Sequence, residues 1–300
     1  MKNILEKFSL IGGVFFKNES GLIFLSSNEL NRDQIMYTAV VKYENEKLIP
    51  LGSVNYDVID WCITNEEDLR CHVITNKNKL FEIDPSGIKE QDLNGTNLDK
   101  RDSDLLRIVY SIDGMLYLGG MDGFLMKRNI KGRSWNNVCS NQKIVSNLGF
   151  EGMCGFGLNE IYVVGWDGSV ALFSEQYYEL LDFPVNTILT DVVCLKNNYI
   201  YVCGRNGTLI KGSKNNVWEI LDNENVQEDF WSIVEFNSRI FVSSSSAIYE
   251  IKDDKLIAVI LDIEGIKNLS FFYLFSSNSL WSIGEKDLLN YDGCKWRKIL

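Results

Sequence analysis

Residues 160–171 read EIYVVGWDGSVA, an alternating apolar stretch that is interrupted by Gly-Trp-Asp-Gly. The same outline returns along the chain as MLYLGGMDGFLM at 115–126, YIYVCGRNGTLI at 199–210, SRIFVSSSSAIY at 238–249 and SLWSIGEKDLLN at 279–290. Alternation of apolar and polar side chains is typical of a strand with one buried face. Asp-Gly and Asn-Gly favour a tight hairpin turn because both central residues need positive φ. Each copy therefore predicts two antiparallel strands.

An aromatic residue marks the second strand of each copy: Tyr117, Tyr162, Tyr201, Phe241 and Trp281, separated by 45, 39, 40 and 40 residues. An apolar stretch before each of them predicts an inner strand: Leu105–Ser111, Phe150–Gly157, Leu189–Lys196, Phe230–Phe236 and Leu269–Ser276. A large apolar residue after each of them predicts the start of an outer, fourth strand: Trp135, Tyr178, Trp218, Leu256 and Trp296. Four antiparallel strands that repeat at about forty residues are typical of a β-propeller blade.

Two weaker copies precede these five. One has strands at Ile59–Asn65, Arg70–Thr75, Lys79–Ile83 and Ile88–Leu93, with His72 in place of the aromatic residue. The first has strands at Val14–Lys17, Leu22–Ser26, Met36–Tyr43 and Lys47–Gly52, with a long hairpin at Asn28–Gln34. We therefore predict an all-β chain, a single β-propeller domain over residues 1–300 with seven four-stranded antiparallel blades; six blades are the alternative. The blade bounds are 11–53, 54–98, 99–147, 148–188, 189–228, 229–267 and 268–300.

The ring is not expected to close by exchange of a strand, because 295–300 already supplies the last outer strand. The segment Ile4–Leu10 is expected to cap a sheet edge instead.

The succession of inner strand, Gly-x-Asp-Gly turn and late tryptophan resembles the repeats of sialidase-like and photosystem-assembly-factor-like propellers. Their turn between the third and fourth strands often reads Ser-x-Asp-x-Gly-x-Thr-Trp, the Asp-box. The corresponding stretches here are NIKGRSW at 129–135, SKNNVW at 213–218 and YDGCKW at 291–296, so the box is degenerate. The resemblance covers five blades and implies propeller architecture. Propellers host hydrolases, lectins and interaction scaffolds alike, so function has to be argued from sites.

Composition excludes several functions. With 30 Lys+Arg against 41 Asp+Glu and a net charge of -11, the chain is not expected to bind nucleic acid. The single histidine, His72, leaves no His-rich metal site or Ser-His-Asp arrangement, and no Asp-x-Asp-x-Asp-Gly calcium loop is present. We therefore expect no cofactor, no metal and no catalytic residue.

The chain begins without an apolar signal segment and has no span long enough for a bilayer. Its seven cysteines form no CxxC pair. These observations predict a cytoplasmic protein, away from membranes, whose cysteines are unpaired.

One mouth of the central channel is the first candidate site. Glu151 and Asp191 lie 11 and 10 residues before their aromatic residues, and the matching positions are Trp61, Arg107, Trp231 and Phe271. A glycosidase needs two carboxylates that face one bond. A mixed ring of acids, one arginine and aromatic residues favours recognition over catalysis.

The same face is predicted to be acidic, because its hairpins and interblade links carry Asp99, Asp102, Asp104, Asp182, Asp222, Glu224, Glu228, Asp229, Asp262 and Glu264. The loops of the opposite face carry Lys131, Arg133 and Lys214. Trp166 occupies a hairpin turn that needs no large apolar side chain, the position of Met121 and Arg205 in neighbouring blades. The predicted partner-binding residues are Trp166, Arg205, Trp231, Arg107, Glu151, Asp191, Asp222, Glu224, Glu228, Asp229, Asp102 and Asp104.

The sequence therefore favours a non-enzymatic propeller that binds a basic protein through its acidic face. One specific form of this hypothesis is an immunity protein that neutralises a cationic toxin domain, since a steric inhibitor needs no catalytic residues. A glycan-binding or glycan-hydrolysing propeller and an assembly chaperone are the alternatives.

Overall fold

A computed structural model describes residues 4–16, 19–98, 105–138, 148–174, 177–213, 217–223, 226–263, 266 and 272–300. Within these ranges the strands form seven four-stranded antiparallel sheets, each built from four consecutive strands. Each inner strand contacts the inner strand of the next sheet, and the last contacts the first. The seven-bladed β-propeller is confirmed, and the six-blade alternative is wrong.

The first four blades have these strands: β1 Phe8–Phe15, β2 Gly21–Ser27, β3 Thr38–Glu44 and β4 Lys47–Val54; β5 Val58–Asn65, β6 Arg70–Thr75, β7 Leu80–Asp84 and β8 Gly87–Gln91; β9 Leu106–Ile112, β10 Met115–Gly120, β11 Leu125–Asn129 and β12 Asn136–Asn137; β13 Phe150–Gly157, β14 Glu160–Gly165, β15 Val170–Phe173 and β16 Tyr178–Leu181.

The last three blades have these strands: β17 Leu189–Cys194, β18 Tyr199–Gly204, β19 Leu209–Ser213 and β20 Trp218–Ile220; β21 Phe230–Phe236, β22 Arg239–Ser244, β23 Ile248–Lys252 and β24 Lys255–Ala258; β25 Tyr273–Ser276, β26 Leu280–Ile283, β27 Leu288–Tyr291 and β28 Trp296–Lys298. Two short helices, α1 Ile4–Lys7 and α2 Asn28–Arg32, are the α-helices of the described residues. No helix in the described ranges is long and apolar enough to cross a membrane.

The Gly-x-Asp-Gly turns adopt the backbone that their sequence requires. Asp167 and Gly168 have φ of 54° and 68°, and Asn206 and Gly207 have φ of 54° and 67°. A Cβ on Gly165 would lie 1.8 Å from the carbonyl oxygen of Gly149, in the link that precedes the blade. The first glycine of the turn therefore lets the hairpin press against that link.

The repeated aromatic residues are the centres of the blade-to-blade core. Tyr117, Tyr162, Tyr201, Phe241 and Trp281 are all buried on the second strands of their blades. His72 is fully buried at the equivalent position of blade 2, where its Nδ1 lies 3.1 Å from the hydroxyl of Thr64. Burial lowers the pKa of His72 to about 3, so this residue is a neutral core side chain.

The ring closes between blades 1 and 7 without a shared strand, because β1–β4 and β25–β28 are separate sheets. The inner strand of blade 1 begins at Phe8 and not at Val14, and the segment before it forms α1. The backbone N–H of Leu10 donates to the carbonyl of Glu285 at 2.9 Å. Phe15 stacks on Trp281 with ring centroids 3.8 Å apart.

Lys286 ties the N-terminal segment to blade 7. Its ammonium donates to the carbonyl of Phe8 at 2.9 Å, to the hydroxyl of Ser9 at 2.9 Å and to the carbonyl of Leu5 at 3.2 Å. A fourth acceptor is Oδ1 of Asn28 at 3.5 Å, so one charged group serves four acceptors across the closure.

A disulfide joins Cys154 of β13 to Cys194 of β17, so the expectation of unpaired cysteines is wrong for this pair. The two residues are 40 positions apart, one repeat length, and they therefore meet on adjacent inner strands. Cys62, Cys71, Cys203 and Cys294 are free.

Replacing Lys286 by methionine should lower the free energy of unfolding by about 2 kcal/mol, because hydrogen bonds from a charged donor are lost at the closure. Chemical denaturation measures this change. Lys295→Met, at an exposed position of the same blade, is the matched control and should stay within about 0.5 kcal/mol of the parent. Equal stability of the two variants would contradict this role of Lys286.

Candidate functional site at the channel mouth

A cavity of about 370 Å³ opens at one mouth of the channel. It is lined by six of the predicted partner-binding residues: Arg107, Glu151, Trp166, Asp191, Arg205 and Trp231. Trp61 and Tyr273 add aromatic walls, and Asp60 adds a carboxylate. The structure therefore brings together the residues of blades 2 to 6 that the sequence placed on a common ring.

β-Bulges at the start of the inner strands turn these side chains towards the cavity. The register shifts by one residue at Arg107, Glu151 and Trp231, which each lie between two paired residues. Thr190 occupies the same position in blade 5, so Asp191 lies one residue deeper than predicted. Trp61 is two residues beyond the equivalent position, Ile59, in blade 2.

Unequal hairpins explain this error. Tyr117 pairs with Tyr110, seven residues earlier, whereas Tyr162 pairs with Cys154, eight residues earlier. Counting back from the aromatic residues therefore does not preserve the register of the inner strands.

Glu151 is the centre of a polar contact at the rim. Its Oε1 accepts a hydrogen bond from the indole Nε1 of Trp166 at 2.6 Å and lies 3.9 Å from Nε of Arg107. Trp166 is nevertheless 39% exposed. This hydrogen bond holds the indole across the mouth while leaving much of its surface open to solvent.

The turns of blades 4 and 5 place Trp166 and Arg205 equivalently, as predicted. The backbone N–H of Trp166 donates to the carbonyl of Gly149 at 2.8 Å, and that of Arg205 donates to the carbonyl of Ile188 at 2.9 Å. Asp229 supports the second turn, because its Oδ1 accepts the N–H of Asn206 at 3.0 Å. Its Oδ2 lies 3.9 Å from Nε of Arg205.

Two carboxylates inside the cavity bind the backbone of the following blade. Oδ2 of Asp60 accepts the N–H of Val109 at 2.7 Å, and Oδ2 of Asp191 accepts the N–H of Ile233 at 2.9 Å. Burial raises the pKa of Asp60 to about 8 and that of Asp191 to about 6, against the effect of these hydrogen bonds.

Asp60 was not among the predicted site residues. The sequence could have identified it, since Val58-Ile59-Asp60 and Leu189-Thr190-Asp191 both place an acid two residues after the first apolar residue of an inner strand. The weak repeat in blade 2 concealed this match.

Aromatic side chains form much of the remaining wall. Trp61 meets Tyr273 edge to face with centroids 5.1 Å apart, and Tyr273 is 38% exposed. Trp231 packs against Phe272 at 6.0 Å. Nε1 of Trp231 is buried and has no hydrogen-bond partner among the described residues.

The other predicted residues that the structure describes do not line the cavity. Asp222 is exposed and its backbone bridges to Lys255 of blade 6. Glu228 is half-buried and accepts the hydroxyl of Ser246 at 2.7 Å. Asp102, Asp104, Glu224 and Phe271 lie outside the described residues, as do Asp99, Glu264 and Lys214.

Among the described residues, no group of three or more His, Cys, Asp or Glu side chains is arranged to hold a metal ion.

The fold and this mouth define a seven-bladed β-propeller with a mixed acidic and aromatic cavity on its axis. No protein-family model matches the chain. Among curated proteins it is similar to "Immune protein Tsi7" of Pseudomonas aeruginosa, with 27% identity over all of this chain and 99% of that protein.

Solved structures support the fold alone. The structure of YCF48 bound to D1 peptide matches with a TM-score of 0.70 at 10% identity, covering 95% of this chain and 92% of that one. Virginiamycin B lyase from Staphylococcus aureus matches with a TM-score of 0.70 at 12% identity, covering 94% of both chains.

Asp60→Asn should remove part of the pH dependence of stability. Asp60 titrates near 3.8 in the unfolded chain and near 8 in the folded one, so between these pH values folding retains a proton and stability falls as pH rises. The parent should lose up to about 1.4 kcal/mol per pH unit through this group, whereas the amide cannot. Urea denaturation of both proteins from pH 4.5 to 8 measures the difference, and parallel profiles would contradict the raised pKa.

Proposed function

We propose that this chain is an immunity protein that binds a protein toxin through the channel mouth and neutralises it without catalysis. The immunity prediction from sequence is borne out by the full-length likeness to the immune protein of Pseudomonas aeruginosa. The convergence of six predicted partner-binding residues on one cavity carries the assignment of the binding surface.

The chemistry of the mouth favours a basic residue of the partner. Glu151 and Asp191 present carboxyl groups inside a cavity whose walls are tryptophan and tyrosine rings. The cavity also contains Arg107, 3.9 Å from Glu151, and Arg205, 3.9 Å from Asp229. A lysine or arginine side chain gains from both groups, through charge pairing and through cation–π contact. The net charge of -11 also steers a cationic partner towards the chain.

Trp166 is the proposed anchor of the interface. It is a large aromatic side chain that is 39% exposed and fixed by its hydrogen bond to Glu151. Tryptophans that are held in place before binding lose little conformational freedom and are frequent hot spots.

The two acids each have a structural role in the mouth. Glu151 accepts a hydrogen bond from Trp166, and Asp191 accepts backbone N–H groups from Val192 and Ile233. Both acids therefore already have partners that position the mouth. The sialidase-like resemblance supplies the glycan alternative, but the immunity proposal has the support of the full-length relative. The predicted cytoplasmic location belongs to this proposal.

The experiment begins with a tagged chain recovered from its native cell, and co-purified proteins are identified by mass spectrometry. The true partner should be toxic when expressed alone and harmless when co-expressed with this chain. With that purified partner, Trp166→Ala should weaken binding roughly thirtyfold, about 2 kcal/mol, by calorimetry. Glu151→Gln should weaken it and reduce its salt dependence.

Tyr177→Ala is the matched control, since Tyr177 is an aromatic residue of the same blade with 45% exposure that does not line the cavity. If both mouth variants rescue cells and bind the partner as tightly as the parent does, the proposed binding surface is wrong but the immunity function stands. Absence of any rescue would overturn the function itself. Hydrolysis of a glycoside panel that disappears in Glu151→Gln would show an enzyme instead.

A further inference from the structure

A second cavity lies between blades 2 and 3. It is lined by β6, β7 and β8 of blade 2 and by β11 of blade 3 with the loop that follows it. Its volume is about 410 Å³, and its cationic lining consists of Arg70, Arg128, Lys131 and Arg133. None of these residues lines the channel mouth. The proposed toxin site therefore does not account for them.

Arg128 is a buried cation without a paired anion. It is 4% exposed, and among the described residues no carboxylate lies within ion-pair distance of it. Its guanidinium stacks on Trp135 at 4.8 Å and donates to the side chain of Gln91 at 3.3 Å and the carbonyl of Gly132 at 3.5 Å. Its Nε is buried and has no partner among the described residues.

Burial of Arg128 disfavours its charged form. Burial lowers the pKa of Arg128, and the charges of Glu82 and Asp92 only partly oppose that effect. His72 adds no anion, because it is neutral and its Nε2 lies 3.5 Å from the guanidinium. A buried guanidinium of this kind is stabilised when an anion supplies the missing acceptor.

Two of the three acidic residues of the cavity have other partners. Glu90 pairs with Lys79 at 3.0 Å. Asp92 accepts the backbone N–H of Asn94 at 2.7 Å. Glu82 lies 3.6 Å from Nε2 of His72, but this contact is not an ion pair because His72 is neutral. The charges of Glu82 and Asp92 therefore still favour the charged form of Arg128, although neither residue forms an ion pair with it among the described residues.

The rim of the cavity is basic. Lys131 and Arg133 are exposed on the loop that ends at Trp135. The guanidinium of Arg70 lies 3.9 Å from the carboxylate of Asp68, while its buried Nε has no partner among the described residues. Arginine presents N–H groups in a planar fork that fits two oxygens of one anion.

We propose that this cavity binds an oxyanion, with the guanidinium of Arg128 at its base and Arg70, Lys131 and Arg133 around it. Phosphate and carboxylate share the required chemistry, a compact group with several oxygens that carries negative charge. The site shares no lining residue with the channel mouth.

Arginine side-chain NMR tests this site directly. In ¹H–¹⁵N spectra at constant ionic strength, inorganic phosphate should shift the Nε–H signal of Arg128, assigned by its loss in Arg128→Lys, along a saturable curve. A parallel titration with sodium acetate shows whether a carboxylate replaces phosphate. The signal of Arg297, an exposed arginine of blade 7 that pairs with Asp292, is the internal control and should not saturate.

A second variant does not disturb the buried residue. The double change Lys131→Ala and Arg133→Ala keeps Arg128 in place and should weaken phosphate binding about tenfold, because two charge-assisted contacts are lost. The proposal is overturned by an Arg128 signal that does not saturate with either anion. It is equally overturned by identical curves for Arg128 and Arg297, or by a rim variant that binds as the parent does.

Discussion

Closure of the ring between blades 1 and 7 is the constraint on which the channel mouth depends. The first and last blades share no strand, because each has four consecutive strands of its own. The closure therefore rests on side chains: the stack of Phe15 on Trp281, the hydrogen bond from Leu10 to Glu285 and the ammonium of Lys286. Tyr273 of blade 7 and Asp60 of blade 2 line the same cavity. They can do so only while blades 1 and 7 remain in contact.

The mouth itself is made by backbone features that recur in each blade. A bulge at the start of the inner strand turns Arg107, Glu151 and Trp231 inward. The glycine-containing turns bring Trp166 and Arg205 over the same opening, where each donates its N–H to an interblade link. Neighbouring blades thus present different side chains from equivalent backbone positions. The proposed binding surface is specific because these side chains differ, although the bulges and turns that hold them are alike.

Two buried carboxylates connect this surface to the scaffold. Asp60 and Asp191 each accept a backbone N–H of the following inner strand, so they hold neighbouring blades together inside the cavity that a partner would enter. A basic partner side chain would favour their ionised forms, since an adjacent positive charge opposes the effect of burial on their pKa values. Binding of such a side chain would therefore be coupled to the loss of protons from these two acids.

Most of the fold could be predicted from sequence because the strong repeats have regular alternation and turns that only Gly, Asn and Asp fit well. The inner strands Phe150–Gly157 and Phe230–Phe236 were predicted at their observed bounds. Prediction was less accurate where alternation and turn residues give no signal. The start of β1, the position of Asp191 in the cavity wall and the inclusion of Asp60 in that wall all depend on bulges and hairpin lengths. The disulfide from Cys154 to Cys194 and the buried Arg128 depend on contacts between blades, which spacing within one blade does not reveal.

Hydrogen–deuterium exchange of the chain with and without the proposed toxin partner tests binding at the channel mouth most directly. Binding there should protect the turns at 165–168 and 204–207 and the start of β21, and it should leave the outer strands β16, β20 and β24 unchanged. Protection confined to the outer strands, with unchanged exchange at the mouth, would contradict it.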